Sequence, residues 1–90
     1  MFRITNGRGF QMTFENGWTV SVQWGYNSYC GNKMKGIYGK ENMEKDFKCM
    51  DAEIAAWDEN GEWHQFDTDD VKGWCTANEV AEFIELISKK

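Results

Sequence analysis

Apolar and polar residues alternate along residues 10–15, with Phe10, Met12 and Phe14 set against Gln11, Thr13 and Glu15. They alternate again along residues 18–24, with Trp18, Val20, Val22 and Trp24 set against Thr19, Ser21 and Gln23. A period of two marks a strand that buries one face. Asn16-Gly17 separates the two runs, and the same dipeptide recurs at Asn6-Gly7 and Asn60-Gly61. Asn-Gly between alternating runs is the strongest short-range signal for a β-hairpin.

The pattern also selects the register. A two-residue loop at Asn16-Gly17 would pair Phe14 with Thr19 and mix apolar with polar side chains on each face. A three-residue loop, Glu15-Asn16-Gly17, pairs Phe14 with Trp18, Met12 with Val20 and Phe10 with Val22, which keeps one face apolar. That loop is a type I turn followed by a left-handed glycine, so Gly17 is expected at positive φ. Applied to Thr5-Asn6-Gly7, the same rule pairs Ile4 with Arg8 and Phe2 with Phe10 and adds Phe2 and Ile4 to the apolar face. Applied to Glu59-Asn60-Gly61, it pairs Trp57 with Trp63 on one face, and Ile54 with Phe66 and Ala56 with His64 on the other. Gly61 is then expected at positive φ as well. Five strands follow, near residues 1–5, 9–15, 18–25, 49–58 and 62–67.

The chain ends in a helical pattern. Thr76-Ala77-Asn78-Glu79 has the form of a capping box, in which the threonine hydroxyl and the glutamate carboxylate satisfy two backbone amides at the helix start. Val80, Phe83, Ile84 and Ile87 then recur at helical spacing, while Glu79, Glu82 and Glu85 fall outside that stripe. Lys89 and Lys90 follow at the end of the helix, where its dipole favours cations. The predicted architecture is α+β: an antiparallel sheet of about five strands, formed by a three-stranded N-terminal meander and a second hairpin, with one helix over about residues 77–88 packed on it. Ninety residues suit a single domain, and the five Trp, three Tyr and six Phe supply much of its core.

Composition and charge narrow the functional classes. No apolar run is long enough to span a membrane, and the first residues do not resemble a signal peptide. Cys30, Cys49 and Cys75 are odd in number, which favours reduced thiols in a cytoplasm. The net charge of −5 is unevenly spread. Residues 1–40 hold five basic side chains against Glu15 alone, a balance of +4, whereas residues 41–90 hold five basic and fourteen acidic side chains, a balance of −9. A solvated acidic surface keeps a small protein soluble. Clustered near the second hairpin, Asp58, Glu59, Glu62, Asp67, Asp69 and Asp70 would also suit a partner with a basic surface, with Trp57, Trp63 and Trp74 as apolar anchors. The same excess of acid argues against direct binding to a nucleic-acid backbone.

Residues 25–48 form a long connection containing four glycines, Tyr26, Asn27, Tyr29, Tyr38, Lys33, Lys35 and Lys40. Glycine amides, lysine charge and tyrosine rings together would suit a small nucleotide, although no Walker-type or GxGxxG spacing is present. The alternative is a surface loop whose tyrosines pack on the sheet edge. Within the segment, residues 41–48 have the composition of a short helix.

No catalytic constellation emerges. His64 is the single histidine and falls on the face of Ile54 and Phe66, so a structural role is expected, and no serine is spaced to form a triad with it. Cys30, Cys49, Cys75 and His64 lack the knuckle spacing of structural zinc sites, and Asp69-Asp70 reads as a solvated turn. Catalytic groups, metal and cofactor are therefore none. Cys30, within Tyr29-Cys30-Gly31, is the thiol expected to be exposed.

The stretch GFQMTFENGWTVSVQWGYNSYCGN, followed by AEIAAWDENGEW and the helix opening at Thr76, resembles a group of small proteins encoded by bacteriophages and prophages. Their pattern is GF…TF-x-NG-x-TVSVQ-x-G, a (G)NYC-x-N loop, an AE…A-WD-x-x-G hairpin and a T-x-x-EV-type helix cap. In this chain the loop motif departs to Asn27-Ser28-Tyr29-Cys30-Gly31-Asn32. The resemblance implies an accessory protein acting in the host cytoplasm during infection. Three roles follow: an anti-CRISPR-like inhibitor that binds a host defence protein of the restriction or CRISPR–Cas type through the acidic surface, a sponge that sequesters a nucleotide signal in the 25–40 loop, or a minor structural or assembly protein of the particle.

Overall fold

In the computed structural model, which describes residues 1–33 and 48–90, the strands are β1 (Phe2–Ile4), β2 (Gly9–Thr13), β3 (Thr19–Gln23), β4 (Ala52–Trp57) and β5 (Lys72–Cys75), followed by α1 (Ala77–Ser88). The strands form one antiparallel sheet in the order β1-β2-β3-β4-β5. The fold is α+β, with a single C-terminal helix packed on the sheet. The segment 41–47 of the expected short helix lies outside the described residues.

The β2–β3 hairpin has the expected register: Phe10 opposite Val22, Met12 opposite Val20, and the Phe14 amide donating to the Trp18 carbonyl at 2.8 Å. Gly17 closes it at φ +88°, and Gly61 closes the β4 turn at φ +82°. Asn16 does more than turn the chain. Its carbonyl oxygen accepts from the Trp18 amide at 3.0 Å, and its amide nitrogen donates to the carbonyls of Ile87 at 3.0 Å and of Ser88 and Lys90 at 3.3 Å. A hairpin turn thus supplies the donors that the last helical carbonyls lack within the helix. Lys89, the C-cap residue, turns its ammonium sideways onto Glu85 at 2.7 Å.

Two expected registers change. Ile4 lies opposite Phe10 and Phe2 opposite Met12, instead of Arg8 and Phe10. Asn6 and Gly7 are both at positive φ, 52° and 71°, and the loop is again three residues long but one position later than expected, Asn6-Gly7-Arg8. Thr5 then bonds both Arg8 and Gly9, its carbonyl accepting from the Arg8 amide and its amide donating to the Gly9 carbonyl. The shift is two residues, so Phe2 and Ile4 keep their face. They nevertheless remain 77% and 81% exposed, because α1 packs over β3, β4 and β5 and stops short of β1.

The second correction concerns the fifth strand, which is residues 72–75 and not 62–67. The predicted Trp57–Trp63 pair forms an isolated bridge, and the His64 amide donates to the Ala56 carbonyl at 2.8 Å. Beyond that the chain leaves β4. Phe66 sits under the helix, 5.3 Å from Phe83 and 5.0 Å from His64 between ring centroids. Its amide donates to Asp69, closing a turn through Asp67-Thr68, residues that favour turns over strands. Lys72, not Phe66, then lies opposite Ile54.

The core lies between the sheet and the helix, where Val20, Val22, Ile54, Ala56, Cys75, Phe83 and Ile87 are buried and Phe10, Met12, Trp18 and Ile84 pack around them. The capping box forms as expected, with the Thr76 hydroxyl accepting from the Glu79 amide and the Glu79 carboxylate accepting from the Thr76 amide.

Phe83→Ala is expected to cost about 3–5 kcal/mol in denaturant unfolding, the range for a buried aromatic. Asn16→Asp keeps the acceptor for Trp18 but turns a carboxylate toward three helix-end carbonyls. It is expected to destabilise by about 1–3 kcal/mol at neutral pH, with part of the loss recovered when the carboxylate is protonated.

Candidate functional site

The feature that reshapes the surface is a bulge in β5. Ala52 lies opposite Cys75 and Ile54 opposite Lys72, so Gly73 and Trp74 together face Glu53 alone. Trp74 takes φ +51°, a left-handed conformation rare for a bulky side chain and held only where surroundings over-determine it. Those surroundings can be named. The Trp74 amide donates to the Tyr29 carbonyl at 2.8 Å, and the Tyr29 amide donates to the Glu53 carboxylate at 3.1 Å. Gly73 packs so closely on Tyr29 that an added Cβ would lie 2.5 Å from the tyrosine Cβ. Trp74 stands 56% exposed as a result, its ring 5.9 Å from that of Tyr29, and the Lys33 ammonium lies 4.5 Å from the Tyr29 ring centre.

A second aromatic pair stands at the other end of β4. The rings of Trp57 and Trp63 are 4.9 Å apart, and Trp63 is 42% exposed. Residues 55 and 57 point away from the helix, since 54 and 56 point into the core. Four residues of strand separate Trp57 from Glu53, roughly 13 Å. The acidic turn adjoins this second pair. Asp58 is largely committed to building it, its carboxylate accepting from the amides of Asn60 and Glu62 at 2.9 Å. Glu59 lies beside Gly17, where an added Cβ would be 2.7 Å from its carboxylate. Glu62, Asp67, Asp69 and Asp70 are exposed, and among the described residues none of these six acids has an ion pair.

The expected site residues therefore divide into two groups. Asp58, Glu59 and Glu62 stay with Trp57 and Trp63 at one end of β4. Trp74 instead joins Tyr29 and Lys33 from the loop. Tyr26 is drawn off to Arg8, whose guanidinium donates to its hydroxyl at 3.2 Å and lies 5.1 Å from its ring centre. Asn27 is exposed, and Lys35 lies outside the described residues. The positive φ at residue 74 has no signature in the sequence, because a tryptophan is among the last residues expected there.

Cys30 is buried, contrary to the expected exposure. Its thiol donates to the Gly25 carbonyl at 3.5 Å, and burial pushes its pKa up to about 11. Cys30, Cys49 and Asp51 place their ligand atoms within 4.8 Å of one another. Cys75 lies apart in the core beneath α1, its pKa raised by burial, and His64 packs edge-on to Phe83 at 5.4 Å. The Cys₃His combination is thus not brought together.

Comparison with protein-family models, curated proteins and solved structures found no significant match. Among the described residues no helix is long and apolar enough to cross a membrane.

Burial, aided by the nearby Lys90 charge, lowers the His64 pKa from the usual 6.5. The native state thus binds fewer protons than the unfolded chain as pH falls through that range, so stability is complete above about 6.5 and declines below it. In thermal melts between about pH 5 and 7.5, His64→Phe is expected to remove this part of the slope while keeping a ring against Phe66 and Phe83.

Proposed function

We propose that the chain is a phage-encoded, non-enzymatic inhibitor that works in the bacterial cytoplasm by binding a host defence protein of the restriction or CRISPR–Cas type. The contact surface is the helix-free face of the β4–β5 region together with its acidic turn. The observation that carries this reading is the exposure of Trp63 and Trp74 at the two ends of one strand, beside carboxylates without ion pairs among the described residues. Exposed tryptophans on a rigid sheet are the residues that anchor protein interfaces. Unneutralised carboxylates add steering toward a basic partner and fix its orientation. The bacteriophage setting comes from the sequence resemblance, and the sheet hairpins that carry its motifs are the elements that present this face.

The nucleotide-sponge reading is less well supported. The amides that would receive a phosphate are already used: Tyr29 donates to Glu53, and Gly31 donates to Asp51 at 2.7 Å. Two carboxylates behind the loop would repel the ligand's charge. Tyr29 and Trp74 sit at 5.9 Å with their planes 42° apart, without an open parallel slot between them for a base. A particle-assembly role would use the same surface and would show as co-purification with virions.

The test replaces Asp67, Asp69 and Asp70 together with lysine, and separately Trp63 and Trp74 with alanine, in folded proteins of unchanged melting temperature. Inhibition is then measured against a panel of restriction and CRISPR–Cas systems. The charge reversal is expected to slow association and weaken its salt dependence, and each tryptophan variant is expected to weaken inhibition by about tenfold or more. Full inhibition by all of these variants would exclude the surface.

A further inference from the structure

We propose that Cys30, Cys49 and Asp51 form a binding site for a soft divalent cation of the zinc class. The three residues come from two chain segments, the loop after β3 and the approach to β4, and their sulfur and oxygen atoms already lie within 4.8 Å of one another. The Cys49 sulfur stands 3.4 Å from Asp51 Oδ1. In a tetrahedral site with metal–sulfur and metal–oxygen bonds of about 2.3 and 2.1 Å, the sulfur–oxygen edge is about 3.6 Å. The donor set of two thiols and a carboxylate is one that zinc accepts, with a fourth position left open.

Supporting groups around the three ligands resemble those that orient a metal's first shell. The Gly31 amide donates to Asp51 Oδ1 at 2.7 Å and fixes the carboxylate. Gly31 itself leaves the space open: an added Cβ would lie 3.3 Å from the Cys49 sulfur and 3.5 Å from Asp51 Oδ1. Asn32 ties the two segments together, its amide nitrogen donating to the carbonyls of Trp24 at 2.8 Å and Lys48 at 3.2 Å. Cys49 and Asp51 also line a cleft of about 280 Å³ with Trp24, Met50 and Val80, which gives a cation a route in and its fourth ligand a place to stand. A disulfide between the two cysteines would leave Asp51 only its bond to the Gly31 amide. A bound cation uses all three groups and clasps the chain between Cys30 and Cys49 at its base.

The experiment titrates the reduced, full chain with Co²⁺ as a spectroscopic probe, then displaces it with Zn²⁺. The expected result is a saturable thiolate-to-cobalt charge-transfer band, lost on addition of Zn²⁺, and a higher melting temperature with either ion. Cys49→Ser is expected to abolish most of the band and Asp51→Asn to weaken binding about tenfold or more, while Cys75→Ser leaves the band unchanged. Cys49 and Asp51 are only partly buried, so these variants are checked for folding by melting without metal. Absence of the band in the reduced protein, or a band insensitive to Cys49→Ser, would overturn the site. So would loss of two hydrogens by mass in a glutathione buffer that contains the metal, since it would show that the pair prefers a disulfide.

Discussion

The turn at Glu15-Asn16-Gly17 is the constraint on which the rest of the molecule depends. Its glycine fixes the loop at three residues, and that length puts Val20 and Val22 on the face that the helix covers. A slip of one residue would bring Thr19, Ser21 and Gln23 inward instead. Its asparagine then reaches the last carbonyls of α1. One short turn therefore sets the register of the central strands and anchors the far end of the helix that packs on them. The core is built between these two fixed points, and the β4 turn docks alongside through Glu59 and Gly17.

What was legible in the sequence follows from this. The β2–β3 register, both bulge glycines, the capping box and the helix span are local, since each is decided by residues within a few positions of one another. Alternation and turn chemistry suffice for them. The fifth strand was not legible, because Phe66 had two competing uses: pairing with β4 or filling the space beneath Phe83. Only the packed helix decides between them, and local pattern carries no information about that choice. The β1 register failed for a smaller reason. Asn-Gly can fill the last two or the first two positions of a three-residue loop, and the apolar pattern cannot separate the two resulting registers, which differ by two.

The candidate surface was legible in composition but not in arrangement. Acid, tryptophan and tyrosine were all evident as candidates. Their grouping depends on the bulge opposite Glu53, which draws Trp74 toward Tyr29 and away from the acidic turn. The thiol–carboxylate cluster was hidden for a related reason: Cys30 and Cys49 are far apart in the chain and meet only because β3 and β4 are neighbours in the sheet.

The backbone at Trp74 gives the protein a readable evolutionary signature. At φ +51° the position is easiest for glycine or asparagine, and drift under stability alone would move it toward them. A lineage that keeps an aromatic there is retaining a residue against its own backbone preference. When relatives of this chain are compared, an aromatic preserved at position 74 would therefore mark selection for what the ring touches outside the fold.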